Sequence, residues 1–426
     1  MESTSDSNSE KEIRGGTLKL PGVDQSETKR LMQFIAMSRS WAAYALLPMV
    51  GIITSPMLAR ALGPSGRGDL AALLQPMILA SAVAALGIPS AVTYFTGRGY
   101  SLHSIKIGSR RLATVTTMMA AIALVLYSQR IGDATGIADW KIMAIWAAFV
   151  PSAFIAARRA VFQGQLQFAR IDLERVIGAL LRLSAIAILF LVGVRSPTLF
   201  ATAFMVTGLL SSIVLMKRHK GQLKPGMPHL GSAQFMRYTL LASIGTIAIA
   251  MSSRLDQAIM PGLTSSEQMG FYAVAVAIAE IPTIITLVVV RNTIAEASRK
   301  VSTRIILHTM IIGGLVIASI CLFLAVTVDA LMPLAFGPEF SPTVPVTRVL
   351  LIAVMIGYCS DTAAAFLAGR GHPALSSLGP LSGAFLTIIL FILLSDHISA
   401  KTAANISVIS QLVALGAALG AILVVS

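Results

Sequence analysis

The chain has 426 residues, of which 55% are hydrophobic and only 12% charged, with a mean hydropathy of +0.79. A soluble domain carries about twice that share of charge, so a water-soluble enzyme or binding module is excluded. The net charge of +14 would point to nucleic acid in a soluble protein, but here it is tested first against membrane topology.

The opening stretch "MESTSDSNSEKEIRGG" is polar, Ser-rich and mixed in charge, the composition of a disordered segment. Residues 1–30 are therefore expected to form a disordered cytoplasmic tail. No signal peptide is expected, because no basic n-region leads closely into an apolar run, and the first such run starts near residue 31. Twelve apolar segments come next, roughly 38–62, 70–97, 110–128, 140–163, 173–194, 197–216, 235–261, 270–293, 304–328, 344–368, 374–395 and 400–425. Each has the length of a bilayer-crossing helix. The short alternating strands of a transmembrane barrel are not seen, so the fold class is all-α and polytopic. Short connections leave no room for an extramembrane domain. The two cysteines, Cys321 and Cys359, both fall in apolar runs and are read as small buried side chains, with no disulfide or metal spacing.

With a cytoplasmic N-terminus, 18 Lys and Arg fall in inner loops and 8 in outer ones. That bias favours both termini inside and an even number of spans. It gives the basic balance a topological reason, with contacts to anionic lipid heads, and no nucleic-acid partner is expected.

The chain also repeats itself. Shifting "FQGQLQFARIDLERVIGALLRLSAI" by 205 onto "FLAGRGHPALSSLGPLSGAFLTIILF" pairs Gly164 with Gly369, Gly178 with Gly383 and Ala179 with Ala384. A shift of 202 pairs Gly68, after the first span, with Gly270, after the seventh. Both matches lie six spans apart. Six plus six spans in the same orientation imply two similar bundles about an axis along the membrane normal, with a central cavity between them. The expected units are 31–217, a basic cytoplasmic linker at 218–234, and 235–426.

The stretch "SPMLARALGPSGRGDLAALLQPMILASAVAALGIPSAVTYFTGRG" (55–99) resembles the start of Wzx-type polysaccharide flippases, members of the multidrug, oligosaccharidyl-lipid and polysaccharide exporter superfamily. It supplies Pro56, Leu58, Ala59, Arg60, Leu62, Gly63, Gly66, Gly68, Leu86, Gly87, Pro89 and Ala91 of that pattern. "RLDQAIMPGLTSSEQMGFYAVAVAIAEIP" (254–282) resembles the family's other common segment through Asp256, Gly270 and Tyr272, and "FQGQLQFAR" its fourth-span ending. The resemblance implies a MATE-like fold and a flippase for a polyprenyl-diphosphate-linked oligosaccharide. Such a protein serves O-antigen, lipopolysaccharide or exopolysaccharide synthesis in the cytoplasmic membrane. It works with membrane lipids and with the polymerase and glycosyltransferases of the same pathway, and needs no cofactor. The fourteen-span peptidoglycan-precursor branch is disfavoured by the room here for twelve.

A glycan-diphosphate head cannot cross hydrocarbon without a polar path. Arginine suits the phosphates, because its planar fork donates two parallel hydrogen bonds. Ionisable residues in or near the spans are therefore the cavity candidates: Arg60, Arg182, Arg254, Asp256, Glu280 and Asp361. Against this stand bland roles. Arg182 can snorkel to the inner interface, Arg60 and Arg254 can be interfacial anchors, and Arg254 and Asp256 diverge if helical. The rival functions are a multidrug or cation antiporter of the same superfamily, a membrane polymerase or ligase, and a scaffold. An antiporter favours acids in its cavity, whereas the charges here are mixed. A polymerase or ligase carries a large outer loop, which is missing, and a scaffold gains nothing from buried charge. The stretch "ARALGPSGRGDLAAL" is expected to be a tight turn between antiparallel spans rather than a phosphate cradle, since its glycines do not follow the dinucleotide order.

Overall fold

Long apolar runs rich in Ala, Leu and Ile, broken by Pro and Gly, form helices that close their own backbone hydrogen bonds. The computed structural model describes residues 25–216, 228–299 and 301–425, and among these it contains helices and no strands. In chain order they are α1 (Gln25–Ala85), α2 (Ile88–Gly97), α3 (Leu102–Thr135), α4 (Asp139–Trp146), α5 (Ser152–Gly164), α6 (Phe168–Leu191), α7 (Pro197–Met216), α8 (Ser232–Ile259), α9 (Ser266–Ala279), α10 (Thr283–Ser298), α11 (Thr303–Leu331), α12 (Thr343–Gly369), α13 (Pro373–Ser376), α14 (Leu378–Leu393) and α15 (Ala400–Val425). The expected tail at 1–24, residue 217 and most of the linker, 218–227, lie outside the described residues, while residues 25–30 are helical. Residues 43–426 form one compact unit, and the packing and the site belong to it.

Among the described residues, nine segments are long and apolar enough to span a membrane outright, and the bent pair α9–α10 makes a tenth. One of the nine, Pro48–Gly97, has 50 residues, about 75 Å of helix against a bilayer core of about 30 Å. It is two spans, divided where α1 kinks at Gly63. α6 carries Arg170, Asp172, Glu174, Arg175 and Arg182, too many charges for the apolar criterion, yet packs lengthwise on α7. The total among the described residues is twelve, at the places read from the sequence. Flanks of these helices present bare apolar side chains: Leu315, Leu322, Phe323 and Val326 of α11 are all more than 60% exposed. Surface of that kind belongs against lipid, and the protein is a multi-pass membrane protein.

Besides the helical start at residues 25–30, two sequence expectations change. The stretch 59–73 is not a loop. Helix runs through it, and the turn is compressed into Gly63, whose φ of 65° is open to glycine and strained for other residues. Pro64 then starts the next segment at a position where no amide hydrogen is needed. Cys321 is buried as expected, but Cys359 is exposed. It lies on the flank of α12 shared with Ile352 and Met355, at the helical spacing of one face.

The repeat is written into the packing. A Cβ at Gly164 would press on Thr93 and Thr96 of α2, and one at Gly369 on Ile294 and Ala297 of α10. Gly178 sits against Ser211 of α7, and Gly383 against Ser410 and Ala414 of α15. Each sequence-matched glycine thus occupies the same kind of close helix crossing in its own half, where a small residue lets backbones approach.

Candidate functional site

The charged groups of the second half are sorted by helix geometry. α8 continues to Ile259, so Arg254 and Asp256, two residues apart, point to different sides. Arg254 Nη1 reaches Glu280 Oε1 at 2.9 Å. Asp256 accepts a hydrogen bond from the Tyr272 hydroxyl, which also lies 3.1 Å from Ser407 Oγ. α8, α9 and α15 are tied together by this buried polar cluster.

Glu280 sits in the break between α9 and α10, whose axes differ by 51°. The causes are local. Pro282 has no amide hydrogen to offer the Ile278 carbonyl, and Thr283 closes on the Glu280 carbonyl with both its amide N–H at 3.1 Å and its Oγ1 at 2.6 Å. The broken helix therefore presents its acid at the bend. Arg254 and Glu280 keep 34% and 43% of their side-chain surface accessible while protein surrounds Glu280 on most sides, as a group lining a concavity does.

The other candidates lie elsewhere. Asp361, midway along α12, is accessible and makes no hydrogen bond or ion pair among the described residues. Arg60 reaches out of α1 and donates to the Leu334 carbonyl beyond the end of α11, so it bridges the two halves. Arg182 lies in the α6–α7 seam with its guanidinium 4.5 Å from the Phe204 ring centroid, and no described bond joins it to the Arg254–Glu280 pair. The structure thus joins Arg254 to Glu280 and Asp256 to Tyr272, and among the described residues no bond links Arg60, Arg182 or Asp361 to these groups.

The halves also meet at two levels. At the Gly63 end, a Cβ on Gly68 would overlap the Ser266 carbonyl, and one on Gly270 the Pro64 carbonyl. The two glycines paired by the repeat are therefore crossed on each other. Ser266 Oγ donates to Asp69 Oδ1 at 2.5 Å, and Tyr127 donates to the Ala258 and Ile259 carbonyls at 3.1 Å. Toward the other end, Gly87 packs on Thr239 and Ser243 of α8, and Tyr94 stacks on Tyr238 at 4.5 Å. Tyr272, Ser407 and Arg67 were not among the sequence candidates. Tyr272 stood in a recognised motif, but its acid partner lies 16 residues away, outside any local spacing rule.

The sequence pattern of a family described as polysaccharide biosynthesis protein matches residues 39–294. That is more than half of the chain. The chain belongs to the polysaccharide biosynthesis protein family. A search of the curated proteins finds no match. Among solved structures, this member of the family is similar to the lipid II flippase MurJ in an inward closed conformation. The TM-score is 0.69 at 11% identity, covering 89% of this chain and 86% of that one. It is also similar to an inward-facing multidrug resistance MATE transporter of the MOP superfamily, with TM-score 0.66, 11% identity, and 90% and 96% of the chains covered. A MOP superfamily transporter from Pyrococcus furiosus gives 0.51 at 11% identity, over 90% and 94%. At such identities the likeness establishes the fold: the polysaccharide biosynthesis family member has the MATE-like architecture that its resemblance to Wzx-type flippases implied.

Proposed function

We propose that this protein is a flippase that carries a polyprenyl-diphosphate-linked oligosaccharide from the inner to the outer leaflet of the cytoplasmic membrane by alternating access, for polysaccharide biosynthesis. The observation that carries the reading is the half-open Arg254–Glu280 pair at a helix break within the membrane part. Charge in such a place is costly, and a lone structural pair there gains little. As a contact surface for a phosphorylated, hydroxyl-rich head it has a use. Arg254 supplies a forked donor for phosphate oxygens, Glu280 accepts from sugar hydroxyls, and the broken helix supplies a joint about which the second half rearranges. The polyprenyl tail stays in lipid throughout. The substrate would come from the pathway's glycosyltransferases and pass to its polymerase, and both termini of the flippase would lie in the cytoplasm.

The test is deletion of the gene followed by analysis of lipid-linked glycans by leaflet. Accumulation of a diphosphate-linked oligosaccharide on the cytoplasmic side is expected, with rescue by the wild-type gene and not by Arg254→Ala. An unchanged lipid-linked pool would sink the reading. Asp361, an accessible acid without a described partner, favours a second reading, a cation-coupled multidrug antiporter. In that case the deletion strain becomes sensitive to amphipathic cations and its glycan lipids are normal.

A further inference from the structure

Three guanidinium groups hold a buried nitrogen without a hydrogen-bond acceptor among the described residues: Arg67 Nε, Arg170 Nη1 and Arg182 Nε. Two have aromatic compensation. Arg170 lies 5.1 Å from the centroid of Phe162 and Arg182 4.5 Å from that of Phe204, and a ring face offsets part of the lost hydration of a cation. Arg67 has no ring, carboxylate or carbonyl partner among the described residues. The acid nearest in sequence, Asp69, is engaged by Ser266 and leaves a helix on the other side.

The place of Arg67 is as telling as its lack of partners. A Cβ on Gly66 would touch Pro197 of α7 at 3.6 Å, and one on Gly68 would run into the start of α9. Arg67 lies between these two directions on the helix, at the seam where the halves cross. Along its own face, at i+4, Ala71 is packed into the core of the second half. At i+8, Gln75 has a buried Oε1 that also lacks a partner. One turn further, Ile78 is 39% exposed. The face thus carries, one above the other inside the protein, two buried polar atoms, Gln75 Oε1 and Arg67 Nε, that nothing among the described residues satisfies.

We propose that Arg67 is an anion receptor at this crossing, and that the anion is the diphosphate of the lipid-linked substrate; the assignment of the ligand rests on the flippase reading above. A cation with a buried, unbonded Nε and no counter-charge is a standing penalty on the closed crossing. A diphosphate removes it through two parallel charge-assisted hydrogen bonds. The anion therefore binds the closed crossing more tightly than an open one in which Arg67 is hydrated, and its arrival shifts the population toward closure at the Gly63 end.

The experiment uses the full chain purified in detergent, with inorganic pyrophosphate as probe, wild type against Arg67→Met and Arg67→Lys. The readouts are Kd by calorimetry and Tm with and without the probe. Wild type is expected to bind and to gain Tm on binding. Arg67→Met should lose at least about tenfold in affinity, and its Tm without probe should equal or exceed that of wild type, because a neutral side chain of similar length removes the uncompensated charge. Arg67→Lys, which keeps the charge without the fork, should bind with intermediate affinity. Undiminished binding by Arg67→Met overturns the proposal. So does a fall in its probe-free Tm with binding retained, the mark of a structural arginine. If Arg67→Met does not fold, wild-type affinity in Arg67→Lys overturns it. Wild type that binds no pyrophosphate also overturns it, whereas the flippase reading stands or falls separately on the glycan lipids of the deletion strain.

Discussion

Arg254 and Asp256 are two residues apart and serve different partners, because a helix turns about 200° between them. Their roles separate in mutants. The Arg254–Glu280 pair is about a third or more accessible on each side, and pairs of that kind contribute at most about 1 kcal/mol. Arg254→Ala or Glu280→Gln should therefore move Tm by no more than about 2 °C while abolishing complementation of a deletion strain. A large loss of stability with transport intact would refute the assignment. Tyr272→Phe should behave in the opposite way. It strips the buried Asp256 carboxylate of its hydroxyl donor and frees Ser407, a cost of about 1–3 kcal/mol visible as a lower Tm in detergent. The sequence marked the charges because they are expensive in a span. It could not pair them, since the choice of Glu280 over Asp256 for Arg254 depends on where α9 breaks.

At the scale of elements, glycine does two jobs that substitutions tell apart. Gly68 crosses Ser266 and Gly270 between the halves, and Gly369 lies against Ala297 and Ile294 within one half. Gly68→Ala should hold the crossing open with the rest of the fold intact. The measurement is disulfide formation between Asp69→Cys and Ser266→Cys, expected to be efficient with Gly68 and lost with Ala. Gly369→Val wedges α10 from α12 at a contact of 2.6 Å to the Ala297 side chain. Overpacking of this kind costs about 1–3 kcal/mol, so the variant should lose Tm and monodispersity. The matched glycines were legible as a periodic echo in the sequence. That Gly68 and Gly270 touch each other, rather than only correspond, was not, because a repeat fixes equivalence and says nothing of contact across the axis.

For the whole molecule, the topology makes a direct prediction. Ala138, exposed before α4, and Ala374, exposed after α12, should lie on opposite sides of the membrane. In a background with Cys321 and Cys359 replaced by serine, Ala138→Cys should react with an impermeant maleimide added to intact cells. Ala374→Cys should react only after permeabilisation. Labelling of both from outside would contradict the twelve-span arrangement. Two charge-bearing structures, the Arg254–Glu280 pair and the unpartnered Arg67, then lie inside a protein whose flanks are bare hydrocarbon.

The amino-acid sequence by itself determined the class, the number and order of spans, and the two-fold repeat. These are properties of local composition: a run of about 20 apolar residues must be a helix in lipid whatever surrounds it. It also set where charge is dear. Tertiary structure alone decided the rest. It turned an expected loop into a kink at Gly63, placed Cys359 on an exposed flank, put Glu280 at a bend, and gave Arg254 a partner while giving Arg67 none among the described residues. Each of these depends on which side chains from distant segments fill the space around a group. Spacing along a chain does not carry that information, because partners such as Tyr127 with Ala258 or Asp69 with Ser266 are more than a hundred residues apart.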